Sequence, residues 1–422
     1  MVYQIADRGQ APYKLLRIGV DTIEVAFQGA LPAENLAFLE LMRKEAEKKQ
    51  DLHTFFFCDD VVKIQSFGAR GGYAYVLDTG ILGERICIKN STDAKQWNIH
   101  VTFSAHGLLE KGVKKMKKTV IQKLKKMGAV ILQESIGRVD VAIDINANDF
   151  ILKPKAFTKH SHMSSKAHQI EEVNYHNVCR RNTYVCHGSR GSKSIQSVVY
   201  DKTLKVRQDK DYFWFDHWGV PEEKINKNFT VWRIEVRAFQ RYLKDKIDIR
   251  TFADLERKLK TLTQDILHKV RLDHYADLDK RQDRRRTHPL WKFACEGVRR
   301  LWGEINPKHL KGRIIACLRS EKIKEAEEQF IGSVKNLLAL KEYEYNPYDK
   351  EQNNRMFRDF FEILANCQGE GTWSDLVFAK MEKAKEKYIY LSEKNMREFQ
   401  EKYISERKPI SIVPEYHNTV AI

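Results

Sequence analysis

The alternation of hydrophobic and polar residues is strongest in Gly137–Ile145. Successive side chains of a strand point to opposite faces, so this pattern predicts a strand with one apolar and one polar face. Three charged residues share the polar face: Arg138, Asp140 and Asp144. The segment Val231–Arg237 repeats the pattern, and its polar face carries Arg233, Glu235 and Arg237. We therefore predict two strong strands whose charged side chains point the same way.

The segment Thr183–Lys202 predicts a β-hairpin, because two extended runs flank a turn rich in Gly, Ser, Arg and Lys at Gly188–Ser194. The turn carries two candidate DNA-binding cations, Arg190 and Lys193. On the second strand three side chains are expected on one face: Val198, Tyr200 and Lys202. A phenol and an ammonium group are therefore predicted side by side, facing the same way as the acids.

The remaining segments predict further strands and helices. In chain order they are a strand at Leu15–Phe27, a helix at Leu31–Lys49, short strands within Val61–Lys89, a strand at Trp97–Phe103 and a helix at Gly107–Met127. The polar, histidine-rich Lys153–Asn177 predicts a long loop. Asp209–Asn228 is an aromatic connection, and its rings either pack in the core or stack on unpaired bases. After Leu243 the pattern becomes helical.

Together these elements predict an α+β fold with a largely antiparallel central sheet and flanking helices, followed by a helical C-terminal region. The domain boundary is expected near Tyr242–Ile249. This boundary divides the chain into a sheet domain at residues 1–245 and a helical region at residues 246–422.

The charge of the chain narrows the class of partner. Lys and Arg number 74 against 57 Asp and Glu, a formal net charge of +17. This excess favours a polyanion, with nucleic acid as the expectation and a membrane surface as the alternative. The candidate phosphate contacts outside the hairpin and strands are Lys114, Lys118, Arg284, Arg285 and Arg286. For the two lysines, a merely solvated helix face remains the other explanation.

Other features exclude further classes. No run approaches the ~18 consecutive apolar residues of a membrane span, and the first residues lack the pattern of a signal peptide. We therefore expect a cytoplasmic protein with no membrane partner. The seven cysteines are scattered and include no Cys-x-x-Cys pair, which disfavours structural zinc and a disulfide framework.

Four motifs carry a resemblance to a known family. In order they are Arg-Val-Asp-Val-Ala-Ile-Asp at 138–144, Thr-Tyr-x-x-x-Gly-Ser-Arg-x-Ser at 183–192, Tyr-Asp-Lys at 200–202 and Arg-Ile-Glu-Val-Arg at 233–237. Their order resembles that of the replication initiation factor family, which comprises initiators of certain rolling-circle plasmids and related relaxases of conjugative elements. The resemblance extends from about Lys14 to Leu243.

The resemblance implies a DNA-nicking enzyme that uses a tyrosine and a divalent metal. It makes Tyr200 the expected nucleophile, which forms a 5′-phosphotyrosine link that conserves bond energy for rejoining. Three cations are expected to lower the pKa of the tyrosine or to hold the phosphate: Lys202, Arg233 and Arg237. The expected ligands of Mg²⁺ or Mn²⁺ are Asp140, Asp144 and Glu235, because oxygen ligands suit a hard ion.

The resemblance also implies partners and a division of labour. The expected partner is single-stranded or hairpin origin DNA with its flanking duplex, and a host helicase and a second copy of the chain are further candidates. Residues 1–245 would nick and transfer the strand, and residues 246–422 would recognise DNA or dimerise.

Three alternatives stay open. The chain resembles conjugative relaxases, which nick a transfer origin, as much as it resembles initiators. A non-catalytic DNA-binding regulator with the same fold is the alternative from another class. For the acids themselves, the alternative to metal binding is a set of Arg–carboxylate salt bridges on the sheet face.

Overall fold

The structure is a computed structural model. It describes residues 13–50, 52–57, 60–159, 163–174, 177–188, 194–220, 229–302, 312–340, 348–366, 380–381 and 383–406. The chain divides into two compact units, and the second begins at Gly312.

The first unit contains the sheet and most of its helices. The strands are β1 (Lys14–Ala30), β2 (His53–Phe57), β3 (Asp60–Ile64), β4 (Tyr73–Asp78), β5 (Glu84–Lys89), β6 (Ile99–Phe103), β7 (Val130–Asn146), β8 (Phe157–Lys159), β9 (Ser165–Asn174), β10 (Asn177–His187), β11 (Ile195–Asp201), β12 (Val231–Phe239) and β13 (Val270–Leu272). The helices are α1 (Ala33–Lys49), α2 (Ala105–Lys126), α3 (Lys202–Asp209), α4 (Phe213–His217), α5 (Gln240–Tyr242), α6 (Phe252–Lys269) and α7 (Pro289–Leu301).

One large antiparallel sheet dominates this unit. Among the described residues it has eleven strands in the order β2-β3-β4-β5-β6-β1-β7-β12-β11-β10-β9. The long strands β1 and β7 lie at its centre and pair from Lys14 opposite Asn146 to Ala30 opposite Val130. Strands β8 and β13 form a separate two-stranded ladder. The predicted α+β fold with a largely antiparallel sheet is therefore confirmed.

Helices α6 and α7 cover the apolar face of the sheet. The Phe252 ring stacks on Phe103 of β6, with 5.8 Å between ring centroids. In α7, a Cβ atom added to Gly297 would lie 2.8 Å from a side-chain atom of Leu15, so the helix approaches β1 closely. Helix α6 starts at a capping box, in which Thr251 and Asp254 each accept a hydrogen bond from the other's backbone N–H. The polar face of the sheet is left to carry the charged residues.

The strands that were predicted from alternation are confirmed, and so is the hairpin. The segments Gly137–Ile145 and Val231–Arg237 lie within β7 and β12, and Leu15–Phe27 lies within β1. The hairpin consists of β10 and β11, which pair with Tyr184 opposite Tyr200. Period-two alternation predicts these strands well because each one presents apolar side chains to one face and polar side chains to the other.

The predicted loop at Lys153–Asn177 is wrong. It contains β8 and all of β9, and β9 pairs with β10 from Ser165 opposite His187 to Asn174 opposite Asn177. Strand β9 is the edge of the sheet, and an edge strand needs no continuous apolar pattern because one of its sides has no neighbour. A polar composition therefore did not exclude a strand here.

The first unit also continues beyond the predicted boundary at Tyr242–Ile249, because α6 and α7 complete its core. The Ile136 backbone N–H donates to the carbonyl of Arg250 at 2.8 Å, which ties the start of α6 to β7. The second unit is helical, as predicted for the C-terminal region. Its longer helices are α8 (Arg313–Leu340), α9 (Lys350–Asn366) and α10 (Glu393–Glu406). No helix within the described ranges has the length and apolar character to cross a bilayer.

Two truncations test this placement of the boundary. A chain ending at Lys311 keeps α6 and α7 and should unfold cooperatively in urea. A chain ending at Ile249 exposes the apolar face around Phe103 and should lose cooperative unfolding and bind a hydrophobic dye. Circular dichroism during urea titration measures both chains. Cooperative unfolding of the shorter chain would contradict the packing argument.

Candidate active site

Five neighbouring strands, β1, β7, β12, β11 and β10, form the part of the sheet that carries the predicted site. Their registers create three cross-strand pairs on one face: Arg233 opposite Asp144, Arg237 opposite Asp140, and Tyr200 opposite Arg233. Glu235 lies between the two arginines of β12 on the same face, because side chains alternate along a strand. The structure thus brings the predicted acids and Tyr200 together on one surface.

The best-buried contact of this face joins Asp144 to Arg233. The guanidinium donates from Nε to Oδ1 at 2.6 Å and from Nη2 to Oδ2 at 2.9 Å. The Trp218 indole N–H also donates to Asp144, at 3.1 Å, and Arg233 Nη1 donates to Asp21 at 2.9 Å. Burial acts to raise the pKa of Asp144, but the charge of Arg233 outweighs it and lowers the pKa to about 2. Asp144 is therefore ionised at neutral pH.

Three cations surround the buried Trp214 ring of α4 at this end of the face. The distances to the ring centroid are 4.4 Å for Lys202 Nζ, 4.5 Å for Arg233 Cζ and 5.4 Å for Arg17 Cζ. Each lies within the range of a cation–π contact.

Lys202 lies in a different element from the one predicted. Strand β11 ends at Asp201, whose carboxylate accepts a hydrogen bond from the Leu204 backbone N–H at 2.8 Å and caps α3. Lys202 is the first residue of that helix, and its ammonium contacts Trp214 rather than the Tyr200 hydroxyl. Burial, reinforced by the charge of Arg233, lowers the pKa of Lys202 to about 8.

Tyr200 is buried beside Glu235. Its hydroxyl donates a hydrogen bond to Glu235 Oε2 at 3.2 Å, and Arg237 Nε donates to the other oxygen of Glu235 at 2.6 Å. Burial raises the pKa of Tyr200 well above its ordinary value, and the nearby charge of Arg233 does not reverse that direction. The charge of Arg233 therefore acts in the expected direction, but burial and the nearby acids outweigh it.

Asp140 is buried, but its ion-pair partner Arg138 is partly exposed. Both of its oxygens accept hydrogen bonds from Arg138, at 2.9 and 2.5 Å. Arg138 also pairs with Glu24 at 3.1 Å, and His100 Nε2 lies 3.7 Å from the other oxygen of Glu24. Burial and the nearby charge of Glu235 raise the pKa of Asp140 to about 7, in spite of its arginine partner.

The three acids do not fit a divalent metal in this arrangement. All of their carboxylate oxygens accept side-chain hydrogen bonds: those of Asp140 from Arg138, those of Asp144 from Arg233, and those of Glu235 from Arg237 and Tyr200. Across the described ranges, no three His, Cys, Asp or Glu side chains converge as metal ligands. The donor type suits Mg²⁺ or Mn²⁺, but the oxygens already have guanidinium or hydroxyl partners. The salt-bridge alternative describes the acids as they stand.

The predicted DNA-binding residues differ in their availability. Lys118 and Arg284 are exposed, and Lys114 is exposed but pairs with Glu256 at 2.5 Å. Arg233 is buried with Asp144, Arg285 pairs with Asp273, and Arg286 binds Asp277 with two nitrogens. Arg190 and Lys193 lie outside the described residues. Among the described candidates, Lys118 and Arg284 combine an exposed side chain with no side-chain partner in the described chain.

The aromatic connection contributes to the core. Phe213, Trp214, Phe215 and Trp218 are buried, and a cluster of Trp214, Phe215 and Trp218 packs with Leu16, Val206 and Val231. Of the two alternatives for this segment, core packing describes these four rings.

The predicted site residues omit several members of this face. Arg138 was predicted on the face, but without a role in the site. The site prediction also left out Arg17, Asp21 and Tyr184. Trp214 and Trp218 were not identified as aromatic partners of the charged residues. The alternating charges of the first strand signalled Arg17 and Asp21. No local pattern signals the tryptophans, because their contacts join α4 to strands distant in sequence.

The contrast between the two aspartates of β7 yields a test. Asp144→Asn leaves the buried Arg233 without its counter-charge and should lower the free energy of unfolding by about 3–5 kcal/mol at pH 7. Asp140→Asn should lower it less, because the raised pKa of Asp140 leaves this carboxyl partly protonated there. Urea denaturation of both variants measures the difference.

The pH dependence has a defined sign. Since the pKa of Asp144 is lowered from 3.8 to about 2, its stabilisation is complete above pH 3.8 and is lost as the pH falls through about 2. The stability deficit of Asp144→Asn should therefore shrink over that range. Equal stability of Asp144→Asn and the unmodified chain at pH 7 would refute the buried-pair interpretation.

Comparisons with known proteins yield little. No protein-family model matches the chain, and no curated protein matches it. Among solved structures, the chain is similar to a rolling circle replication initiator protein from Geobacillus stearothermophilus, with 15% sequence identity and a TM-score of 0.37. The match covers 67% of this chain and 96% of that one. A likeness this low assigns neither fold nor activity, so the function must be argued from the site.

Proposed function

We propose that this chain initiates rolling-circle replication by nicking and rejoining one strand of an origin DNA, with Tyr200 as the nucleophile. The substrate is single-stranded or hairpin DNA within a duplex origin. A conjugative relaxase would perform the same chemistry at a transfer origin, and the genes beside this one would separate the two roles.

The observation that carries the proposal is the hydrogen bond from the Tyr200 hydroxyl to Glu235 on a face lined with arginines. A phenol with a raised pKa needs a base in order to attack phosphorus. Glu235 is the carboxylate in contact with that proton. Arg237, which binds the other oxygen of Glu235, is a suitable partner for the phosphate that replaces it.

The proposed nicking step transfers the 5′ phosphate of the DNA from the neighbouring 3′ oxygen to Tyr200. The Tyr200 proton passes to Glu235 as the phenolic oxygen bonds to phosphorus, and the bond from phosphorus to the 3′ oxygen breaks. The 3′ oxygen takes up a proton, and the 5′ phosphate stays on Tyr200 as a phosphodiester. Attack by a 3′ hydroxyl reverses the step and rejoins the strand, because the number of phosphate ester bonds does not change.

The substrate must open the site before this step. Tyr200 is only 8% exposed, and Arg237 is engaged by Glu235. A DNA phosphate competes with Glu235 for Arg237, which is the most direct way to expose the phenol. The proposed cofactor is Mg²⁺ or Mn²⁺, because carboxylate oxygens suit a hard ion, but the acids would first have to release their present hydrogen-bond partners. No step above depends on the metal.

The same closed arrangement favours a second candidate, a DNA-binding regulator without catalysis. In it the acids and arginines satisfy each other, and the tyrosine is an aromatic core residue. This candidate predicts that removal of the Tyr200 hydroxyl changes neither DNA binding nor any other activity.

Tyr200→Phe separates the two candidates. The variant keeps the ring and should fold normally, but it should lose the rapid covalent attachment to single-stranded DNA that we expect of the unmodified chain. The assay incubates each protein with a labelled random-sequence oligonucleotide pool, with Mg²⁺, with Mn²⁺ or with a chelator. Denaturing gels then detect the adduct, and Tyr212→Phe, at an exposed tyrosine elsewhere, is the matched control.

Peptide mapping identifies the attachment site. The first adduct of the unmodified chain should carry its 5′ phosphate on Tyr200. A first adduct on any other tyrosine would contradict this assignment. The absence of an adduct under all three conditions, together with normal DNA binding, would favour the regulator.

Salt dependence tests the DNA partner. If about six phosphates are contacted, affinity should fall by roughly 10³-fold between about 50 and 200 mM salt, because bound counterions are released. Lys118→Gln should reduce the slope by about one ion if that exposed lysine contacts a phosphate. Lys114→Gln is the comparison, and its effect should be smaller because Lys114 already pairs with Glu256. An affinity that does not change with salt would contradict binding through contacts to DNA phosphates.

A further inference from the structure

A second tyrosine lies directly opposite Tyr200. The register of β10 and β11 pairs Tyr184 with Tyr200, so both side chains project from the same face of the sheet. Directly opposed residues have Cβ atoms about 4.5–5.5 Å apart. Tyr184 is half-buried and packs against the buried cluster of Cys186, Val198 and Tyr200. Tyr184 is therefore the more exposed of the two opposed tyrosines.

Tyr184 also shares the electrostatic surroundings of Tyr200. Burial raises the pKa of Tyr184 to about 12, with smaller effects from Cys186, from Arg237, which lowers the pKa, and from Glu235, which raises it. The charges of Glu235, which contacts Tyr200, and of Arg237, which contacts Glu235, therefore also act on the Tyr184 hydroxyl.

We propose that Tyr184 is a second nucleophile, which performs the strand transfer that follows attachment of DNA to Tyr200. This inference rests on the proposed function and extends it to the second half of the reaction. The substrate of Tyr184 is a second single-stranded phosphodiester that enters the same face.

The order of the two tyrosines follows from their shared base. In the free protein Glu235 accepts a hydrogen bond from the Tyr200 hydroxyl. Once Tyr200 carries a phosphate, its oxygen has no proton to donate, and the base must return its own proton to solvent before a second reaction. Tyr184, the phenol across from Tyr200, is then the next hydroxyl that Glu235 can serve.

The second transfer balances without an added reactant. The Tyr184 oxygen bonds to the new phosphorus as its proton passes to Glu235, and the bond to the new 3′ oxygen breaks. The released 3′ hydroxyl attacks the phosphotyrosine at 200, joins the two strands and returns the Tyr200 oxygen with a proton. One protein–DNA bond is present before and after, and it has moved from Tyr200 to Tyr184.

The experiment uses the full chain and a sequence recovered from the first adduct. Protein loaded with the labelled downstream part of one oligonucleotide is freed from the upstream fragment that ends in the 3′ hydroxyl. It is then mixed with a second oligonucleotide that contains an uncut site and carries a different label at each end. We expect a joined strand that contains the first label and the 5′ label of the second oligonucleotide, and an adduct on Tyr184 that carries its 3′ label. The joining rate per loaded molecule should be independent of protein concentration, because both nucleophiles belong to one chain.

Tyr184→Phe is the decisive variant. It should form the first adduct on Tyr200 at the normal rate and lose the second transfer, whereas Tyr212→Phe should perform both steps. Thermal unfolding of both variants checks that the fold is as stable as that of the unmodified chain.

The failures are distinguishable. If the unmodified chain forms no adduct, both the proposed function and this inference are overturned. If Tyr200 is attached but Tyr184→Phe completes the second transfer normally, or the second label maps to Tyr200 of another molecule, the inference alone is overturned and Tyr184 is a packing residue.

Discussion

The buried pair of Asp144 and Arg233 is the interaction on which the polar face of the sheet depends. It links β7 to β12, and the side chains of Asp144 and Arg233 are 0% and 2% exposed. Two charges at such depth are tolerated only when each satisfies the other, and removal of one leaves an uncompensated ion. The Trp218 indole donates a hydrogen bond to Asp144, and Asp21 accepts one from Arg233. The pair therefore also positions the end of α4 and β1. Register, aromatic packing and charge balance are therefore coupled at one point.

Such a pair specifies structure more than it adds stability, because desolvation offsets much of the Coulomb attraction. A slip of one residue between β7 and β12 would turn Arg233 and Glu235 to the apolar face beneath α6 and α7. Their charges could not be satisfied there. The polar face thus selects one register of β7 with β12, and the register of β11 with β12 then sets Tyr200 beside Glu235.

The sequence predicts those features that depend on a strand's own periodicity. The alternation in β7 and β12 indicated which charges share a face, and the glycine-rich turn indicated the hairpin. It did not reveal that Asp201 ends β11 and starts α3, because a cap depends on the next turn of backbone rather than on alternation. It left open whether the acids bind metal or arginine, since those partners come from strands distant in sequence. The edge strand β9 and the role of α6 were missed for a similar reason, because neighbouring elements determine both.

The two ends of the polar face differ in how readily a substrate can enter. At one end Asp144 and Arg233 lie under Trp214 and Trp218 and are almost fully buried. At the other end Arg237 is 16% exposed and Arg138 is 26% exposed. A phosphate that replaces Glu235 on Arg237 would break one partly exposed ion pair. A phosphate that replaces Asp144 on Arg233 would break the buried pair that maintains the register. Under the proposed function, the Glu235–Arg237 end would be the side from which DNA enters. Asp144 and Arg233 would then serve as the fixed support against which that end opens.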